Sequence, residues 1–367
     1  MTQTLNRRNF ITTATVAGMV TSIGGQALAA TAEDPLLITL IIPSPVADVG
    51  WGHALFDGLE TVKAAYGDAV ELTVVENIPE GPDADRIMNK AVADGTKFLV
   101  AGSFGYQNGA MQIARRNPDV TVLHASGFMV APNFSPFAAQ YSQGTYLMGM
   151  AAAALSKTGK IGSVSAFAIP ELITSLNAFV LGAQAINPDV ELSVVWLNSW
   201  FDPAKAQEAA EALNAQSCDV IFSNAQDTPS VVAKCEELGI YSFNLNSSMK
   251  AYAPKTYLGC VLTDWSPFFK ASVDAHVAGS FEGANAFLGV GDEVVKVVDW
   301  SPDIPADVKA KITETEAAIA DGSFSPFTGP LMKADGSEGV AAGVTMTREQ
   351  IIAMDWHVAG VTTPLPN

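Results

Sequence analysis

The residues best suited to chemistry lie in three stretches, each following a short apolar run. They are Asp48-Val49-Gly50-Trp51-Gly52-His53, Ser103-Phe104-Gly105-Tyr106-Gln107-Asn108 and Ser199-Trp200-Phe201-Asp202-Pro203. Their side chains offer flat aromatic faces, amides and a carboxylate, which suit holding a planar polar solute better than making or breaking a bond. Two indoles facing each other across a cleft favour a π-system between them, at about 1–3 kcal/mol per stacked base. Packing offers a competing account of the same residues. Trp is highly buried on average, Trp51 could simply open the apolar face of a helix, and Phe104 and Tyr106 suit a core as well as a site. Trp200 nevertheless lies between Ser199 and Phe201, outside any periodic apolar pattern. Signatures of catalysis are missing. Gly159-Lys160 lacks the glycine five positions earlier that a phosphate-cradling loop requires, and there is no Gly-x-Ser-x-Gly elbow or His-Glu-x-x-His pair. His53, His124, His276 and His357 are scattered, and no Cys-x-x-Cys pair is present for a metal. The expectation is a binding protein without catalytic residues, metal ligands or cofactor.

Strands must end beside these stretches if they are to meet. Glu191 to Ala225 reads as one βαβ unit. Leu192 to Leu197 is β-rich, Asp202 is a good N-cap, Pro203 suits the first helical position, and Ala206, Ala210 and Leu213 recur at helical spacing before a buried strand at Asp219 to Phe222. Trp200 then sits past a strand's carboxyl end, where open α/β sheets bind ligands. Upstream, strands at Leu36 to Ile42, Leu72 to Val75, Lys97 to Ala101 and Val120 to His124 alternate with helices from Trp51, near Ala84 to Ala93 and near Gly109 to Arg116. That alternation predicts one parallel-sheet lobe. Ser126 to Gln143, rich in Pro, Phe, Asn and Ser, predicts the chain's exit from it. A second alternation runs from a helix at Thr145 to Leu155 through to a strand at Ile240 to Phe243. Asn244 to Pro254 reads as a return crossing that carries Tyr257 to Leu262 and the helix from Trp265 back to lobe one. A third crossing near Gly289 then places Glu293 to Val298 and a helix near Ala306 to Ile319 in lobe two.

The expected fold class is therefore α/β, with the type I periplasmic binding-protein architecture. Two αβ lobes with parallel sheets are joined by a multi-crossing hinge, and the ligand sits between them. Residues 30–141 and 247–289 are expected to form lobe one, 142–246 and 290–330 lobe two, and 331–367 a tail wrapping both.

A chain of 367 residues, 49% hydrophobic and 16% charged, has room for two globular domains. Residues 1–29 have the parts of an export signal: Arg7-Arg8, the uncharged run Ile11 to Gly25, and Ala27-Leu28-Ala29. The paired arginines suggest the twin-arginine route. Asn6 and Thr12 stand where Ser or Thr and Lys are usual, which leaves general secretion open. No Cys follows Ala29 to take a lipid, so the expected product is a monomer, cleaved near Ala29 and free in the periplasm. Removing Arg7 and Arg8 takes the formal net charge from -18 to -20. An acidic surface of that kind argues against nucleic acid as a partner. Cys218 and Cys235 would lie at the same end of one βα unit, where either a disulfide or two buried thiols fit; an odd count of three favours thiols.

Several longer stretches resemble the basic membrane protein family of ABC-transporter substrate-binding proteins, which are purine nucleoside receptor-like. They are Tyr146 to Gly162, Ser199 to Pro203, Leu258 to Phe269 and Met354 to Val361, and the resemblance covers nearly the whole mature chain. It implies a periplasmic receptor that hands a purine to an inner-membrane ABC permease. The family's Asp-x-Ser-Phe-Asn pattern falls on Asp48 to Gly52, with its stacking Phe on Trp51, and a second stacking Phe falls on Trp200. The resemblance thus implies a purine sandwiched between Trp51 and Trp200. Departures from the pattern matter too. A family Asp falls on Asn108, and Asn246 and Ser248 replace two acids, one of which holds the ribose diol in nucleoside binders. An amide both donates and accepts, matching the edge of a nucleobase, whereas a carboxylate only accepts. A free purine base is therefore expected ahead of a nucleoside. The ligand-binding set on this reading is Trp51, Trp200, Asp48, His53, Phe104, Tyr106, Asn108 and Asn246. Two alternatives stay open: a nucleosidase acting in the cleft, and a ligand sensor of the same fold.

Overall fold

The computed structural model describes residues 34–46 and 49–366. The expected export signal and Asp48 lie outside the described residues. The first alternation forms as β1 (Leu36–Ile41), α1 (Trp51–Tyr66), β2 (Val70–Val75), α2 (Pro82–Ala93), β3 (Phe98–Ala101), α3 (Gln107–Arg116), β4 (Thr121–Ala125) and β5 (Phe134–Ala139). The second forms as α4 (Tyr141–Leu155), β6 (Lys160–Ser165), α5 (Pro170–Gln184), β7 (Glu191–Trp196), α6 (Pro203–Ala215), β8 (Val220–Asn224), α7 (Ser230–Leu238), β9 (Tyr241–Asn246) and β10 (Tyr257–Thr263). The chain then runs through α8 (Ser266–Val277), β11 (Ala286–Leu288), β12 (Val295–Val298), α9 (Ala306–Ala320), a short hairpin of β13 (Leu331–Met332) and β14 (Glu338–Val340), and α10 (Arg348–Ile352).

Two six-stranded sheets result. The first has the order β11-β5-β4-β3-β1-β2 and the second β12-β10-β9-β8-β6-β7. Every pairing is parallel except β12 on β10. Such sheets are covered on both faces, so their strands are apolar almost throughout: β3 and β8 are buried at every residue. Helix α1 turns Leu55, Leu59 and Val62 inward, as its spacing requires. Helix α8 returns to the first lobe and lies so close to α1 that a Cβ on Gly58 would meet Phe269 at 2.9 Å. Asp202 caps α6 by accepting from the Lys205 N–H at 3.1 Å, with Pro203 following it.

Three strands depart from the sequence expectation. β5 lies inside the stretch that its Pro, Phe, Asn and Ser content marked as an exit loop, and it carries Pro136, which is unusual in a central strand. Its neighbour β11 pairs only from Phe137 onward, so Pro136 costs that side no hydrogen bond. β11, three residues long, carries too short a pattern to read. β10 was expected to return to the first lobe but stays in the second, pairing with β9 and β12. A parallel crossover ordinarily contains a helix, and between β9 and β10 there is only one 3-10 turn, Lys250–Tyr252. The return crossing is thereby moved from Asn244–Pro254 to the start of α8. Beyond α9, the tail pairs with the β7 edge through Leu192 N–H to Gly360 O and with α5 through Asn177, which donates to Trp356 O. Arg348 reaches Asn285 beside β11 at 2.8 Å. Cys218, Cys235 and Cys260 are buried free thiols, so no disulfide joins the first two. Among the described residues no helix is long and apolar enough to cross a membrane.

Candidate functional site

Loops at the carboxyl ends of seven strands converge on one cavity between the sheets, as expected for open α/β lobes. Pro43 follows β1, Ser103 and Phe104 follow β3, and Ser126 follows β4. From the other lobe, Glu171 follows β6, Trp200 follows β7, Asp227 follows β8 and Asn246 ends β9. Tyr141, the first residue of α4 at the first crossing, closes the back. The space between these residues, the open mouth of the cleft included, is about 440 Å³. Ser126, Ala225 and Asn246 in its wall take φ values of 56°, 60° and 76°. Non-glycine residues avoid this left-handed region, and such strain concentrates at ligand clamps.

The two indoles are held differently. Trp51 opens α1; its ring lies against Phe137 at 6.5 Å and edge-on to Trp265 at 5.7 Å, while its indole N–H donates to Gly102 O at 2.9 Å. Trp200 touches the Phe167 ring at 4.7 Å, and its indole N–H points across the cleft to Glu80 Oε1 at 3.4 Å. Further bonds cross the cleft. The two Asp227 oxygens accept from Ser44 Oγ at 2.6 Å and from the Trp51 backbone N–H at 2.7 Å. Gly50 N–H donates to Ser247 Oγ at 2.6 Å, and Ser126 Oγ donates to Glu171 Oε2. Gly50 has φ of 99°, and a Cβ there would meet Asp227 Oδ1 at 2.9 Å, so the approach of the lobes needs glycine. The lobes are closed on one another in this structure.

Electrostatically the wall is acidic. Burial pushes the Asp227 carboxyl up to about 6 against the opposing pull of its Ser44 and Trp51 donors. Burial likewise pushes Glu171 up to about 7, against the pull of the Ser126 hydroxyl and the Ala139 backbone N–H. Tyr141 is raised well above 10, mainly by burial, and stays neutral while its hydroxyl donates to Asn246 Oδ1. No Lys, Arg or His stands among the lining residues. No group of three or more His, Cys, Asp and Glu side chains among the described residues is arranged to hold a metal ion.

Of the residues singled out in the sequence, Trp51, Trp200, Phe104 and Asn246 line the cavity together. Asn246 is buried, and Thr263 Oγ1 also approaches its Oδ1, at 3.4 Å. Tyr106 is instead packed in the first lobe's core, with its hydroxyl donating to Ile78 O. Asn108 is exposed on the first turn of α3, outside the cavity wall. His53 pairs with Asp57 at 3.2 Å on an outer groove that it shares with Asn246 and Ser248. A helix turns successive residues about its axis, so His53, two positions past Trp51, leaves on another face. Asp227 and Glu171 were not singled out. Each is an isolated acid in an unremarkable stretch, and the available signal was position alone: one follows the strand ending near Ala225, the other opens a helix behind Pro170.

Comparison with known proteins fits this architecture. Residues 36–326 match the family described as Bmp, ABC transporter substrate-binding protein PnrA-like. The chain is 37% identical over 353 residues to a purine-binding protein of Brucella abortus, covering 96% of this chain and 99% of that one. It is 30% identical over 296 residues to a Haloferax volcanii protein assigned as an ABC transporter glucose-binding protein, covering 80% of this chain and 75% of that one. Among solved structures, an ABC transporter solute-binding protein from Aeropyrum pernix superposes with a TM-score of 0.72 at 18% identity, over 79% of this chain and 93% of that one. The matched region contains both sheets and every residue of the cavity wall, and the chain belongs to the Bmp family of PnrA-like ABC transporter substrate-binding proteins.

Proposed function

We propose that this receptor binds a purine, as free base or nucleoside, in the cavity between its lobes, with the ring stacked between Trp51 and Trp200. The observation that carries the reading is that two indoles from opposite lobes line one cavity whose polar groups are hydroxyls, an amide and two carboxyls. Flat faces supply stacking, while the polar groups can address ring nitrogens and exocyclic substituents. The similarity to a purine-binding protein points the same way. On this account the mature chain begins near Ala30, is released to the periplasm without a lipid, works as a monomer and delivers its ligand to an inner-membrane ABC permease.

A nucleosidase would also place carboxyls around a purine, and Asp227 and Glu171 give that reading a specific footing. Asp227, however, spends both oxygens holding the lobes together, which suits a clasp more than an acid or base. Mass spectrometry of ligand released from freshly purified protein tests the proposal: a purine is expected, and a hexose would favour a sugar receptor instead. Incubation with adenosine or guanosine should release no base; steady release would establish the enzyme. N-terminal sequencing of the periplasmic fraction should read from near Ala30, and protein retained in the membrane with residues 1–29 attached would overturn the proposed address.

A further inference from the structure

The two acids in the cavity wall are not equivalent. Asp227 has a donor on each oxygen, and both donors come from the opposite lobe. Glu171 has its Oε2 occupied by Ser126 and its carboxyl also faces the Ala139 backbone N–H, whereas no hydrogen bond of proper geometry reaches its buried Oε1 among the described residues. A carboxylate oxygen left in that condition costs free energy until a donor arrives. The carboxyl is fixed from two sides, since Pro170 opens α5 one residue earlier and Ser126 holds a φ of 56° while its hydroxyl reaches across the cleft. Glu171 lines the cavity, so a ligand bound there can bring a donor to it.

We propose that Glu171 selects the solute: its free Oε1 accepts an N–H of the bound base, so the cavity takes uncharged heterocycles that donate N–H and refuses phosphorylated ones. This rests on the purine reading. A phosphate would meet two carboxyls and no Lys, Arg or His in the lining, and like charges brought together out of water repel strongly. Burial holds Glu171 up at about 7 despite the pull of Ser126 and the Ala139 N–H; a further N–H arriving from the ligand favours the ionised form and lowers that value. The titratable groups around it are Tyr141 and Asp227 in the same cavity and Glu349 of α10 in the adjoining one, which Glu171 also lines. None is a cation, so within these two cavities no fixed positive charge competes for the carboxylate.

The test is calorimetric titration of mature protein, stripped of ligand by unfolding and refolding, with adenine, guanine, hypoxanthine and AMP. Wild type should bind at least one base, and AMP at least about a hundredfold more weakly than adenine. Glu171→Gln keeps the shape and removes the charge, and should weaken base binding by about ten- to hundredfold. Wild-type affinity should fall from about pH 8 to about pH 6.5 as Glu171 takes a proton, and that slope should vanish in Glu171→Gln. Ser126→Ala, which strips the donor from Oε2 and leaves Oε1 untouched, should cost less than Glu171→Gln. Wild type that binds a base, with Glu171→Gln within twofold or keeping the same slope, overturns the role of Glu171 alone. A larger loss in Ser126→Ala, or AMP binding as tightly as adenine, also overturns it. Wild type that binds none of the three bases overturns this inference, and it sinks the purine reading as well if guanosine also fails to bind.

Discussion

The first lobe presents Trp51 braced by its own core, and the second presents Trp200 with fewer supports, although both rings are half-buried. Trp51 has Phe137 and Trp265 behind it, an indole hydrogen bond to Gly102 and a place at the start of α1. Trp200 has one ring neighbour within its own lobe, and its indole bond goes to Glu80 of the other. On the proposed reading, the first lobe carries a braced half-site whose plane is held by its own core. On the same reading, the second lobe's plane would take its final place on closure, together with the clasp that Asp227 makes onto Ser44 and the Trp51 N–H. The proposal thus gives one wall a part in folding and binding together, and the other chiefly a part in binding.

The largest effect should come from Trp51→Ala, which removes part of the first lobe's core as well as one stacking face. We expect about 3 kcal/mol of lost stability and no measurable purine binding, read by denaturant melts and calorimetry; unchanged stability would break the contrast between the walls. Trp200→Ala should leave stability within about 1 kcal/mol and weaken binding about five- to hundredfold, while Trp200→Phe keeps most of the affinity. Equal stability losses at the two positions would show that both walls are structural. Trp356, under Lys333 in the tail, should affect folding more than affinity.

A smaller effect concerns pH. Glu171 and Asp227 stand at about 7 and about 6 in the fold, above their unfolded values of about 4.3 and 3.9. The folded state thus binds more protons than the unfolded one between about pH 4 and 7, and this pair adds stability as pH falls through that window. Buried His124 and His357, both held down to about 4 by desolvation, act oppositely below about 6.5. The readout is therefore the difference in melting temperature between wild type and Glu171→Gln/Asp227→Asn, in which wild type should gain relative to the variant from about pH 8 to about pH 5. A constant difference would mean that neither carboxyl is desolvated as described. The subtlest expected change is in shape: stripped protein should open about its crossings, and ligand should reduce the radius of gyration in small-angle scattering. An identical radius with and without ligand would argue against closure by the second wall.

Most of this was legible where local chemistry decides the structure. Asp202-Pro203 announces a helix start, and apolar runs such as Phe98–Ala101 announce buried parallel strands. Legibility failed where a distant partner decides. Pro136 is tolerated in β5 because β11, far away in sequence, begins pairing one residue later. β10 stays in the second sheet because β12 flanks it. The site divided in the same way. Trp51 and Trp200 stood out because an indole beside a helix start breaks the apolar period. Asp227 and Glu171 became recognisable only once Ser44, Trp51 and Ser126 from the opposite lobe stood next to them. A lone carboxylate has no period to break.

The most direct test of the central claim is calorimetric titration of the refolded, ligand-free protein with adenine, guanine, hypoxanthine and guanosine, repeated with Trp200→Ala. Our account predicts that at least one of these binds wild type far more tightly than about 1 mM, which corresponds to only about -4 kcal/mol, and that the variant loses about five- to hundredfold of that affinity. Failure of all four to bind wild type more tightly than about 1 mM, or binding that Trp200→Ala leaves unchanged, would contradict a purine held between the two indoles.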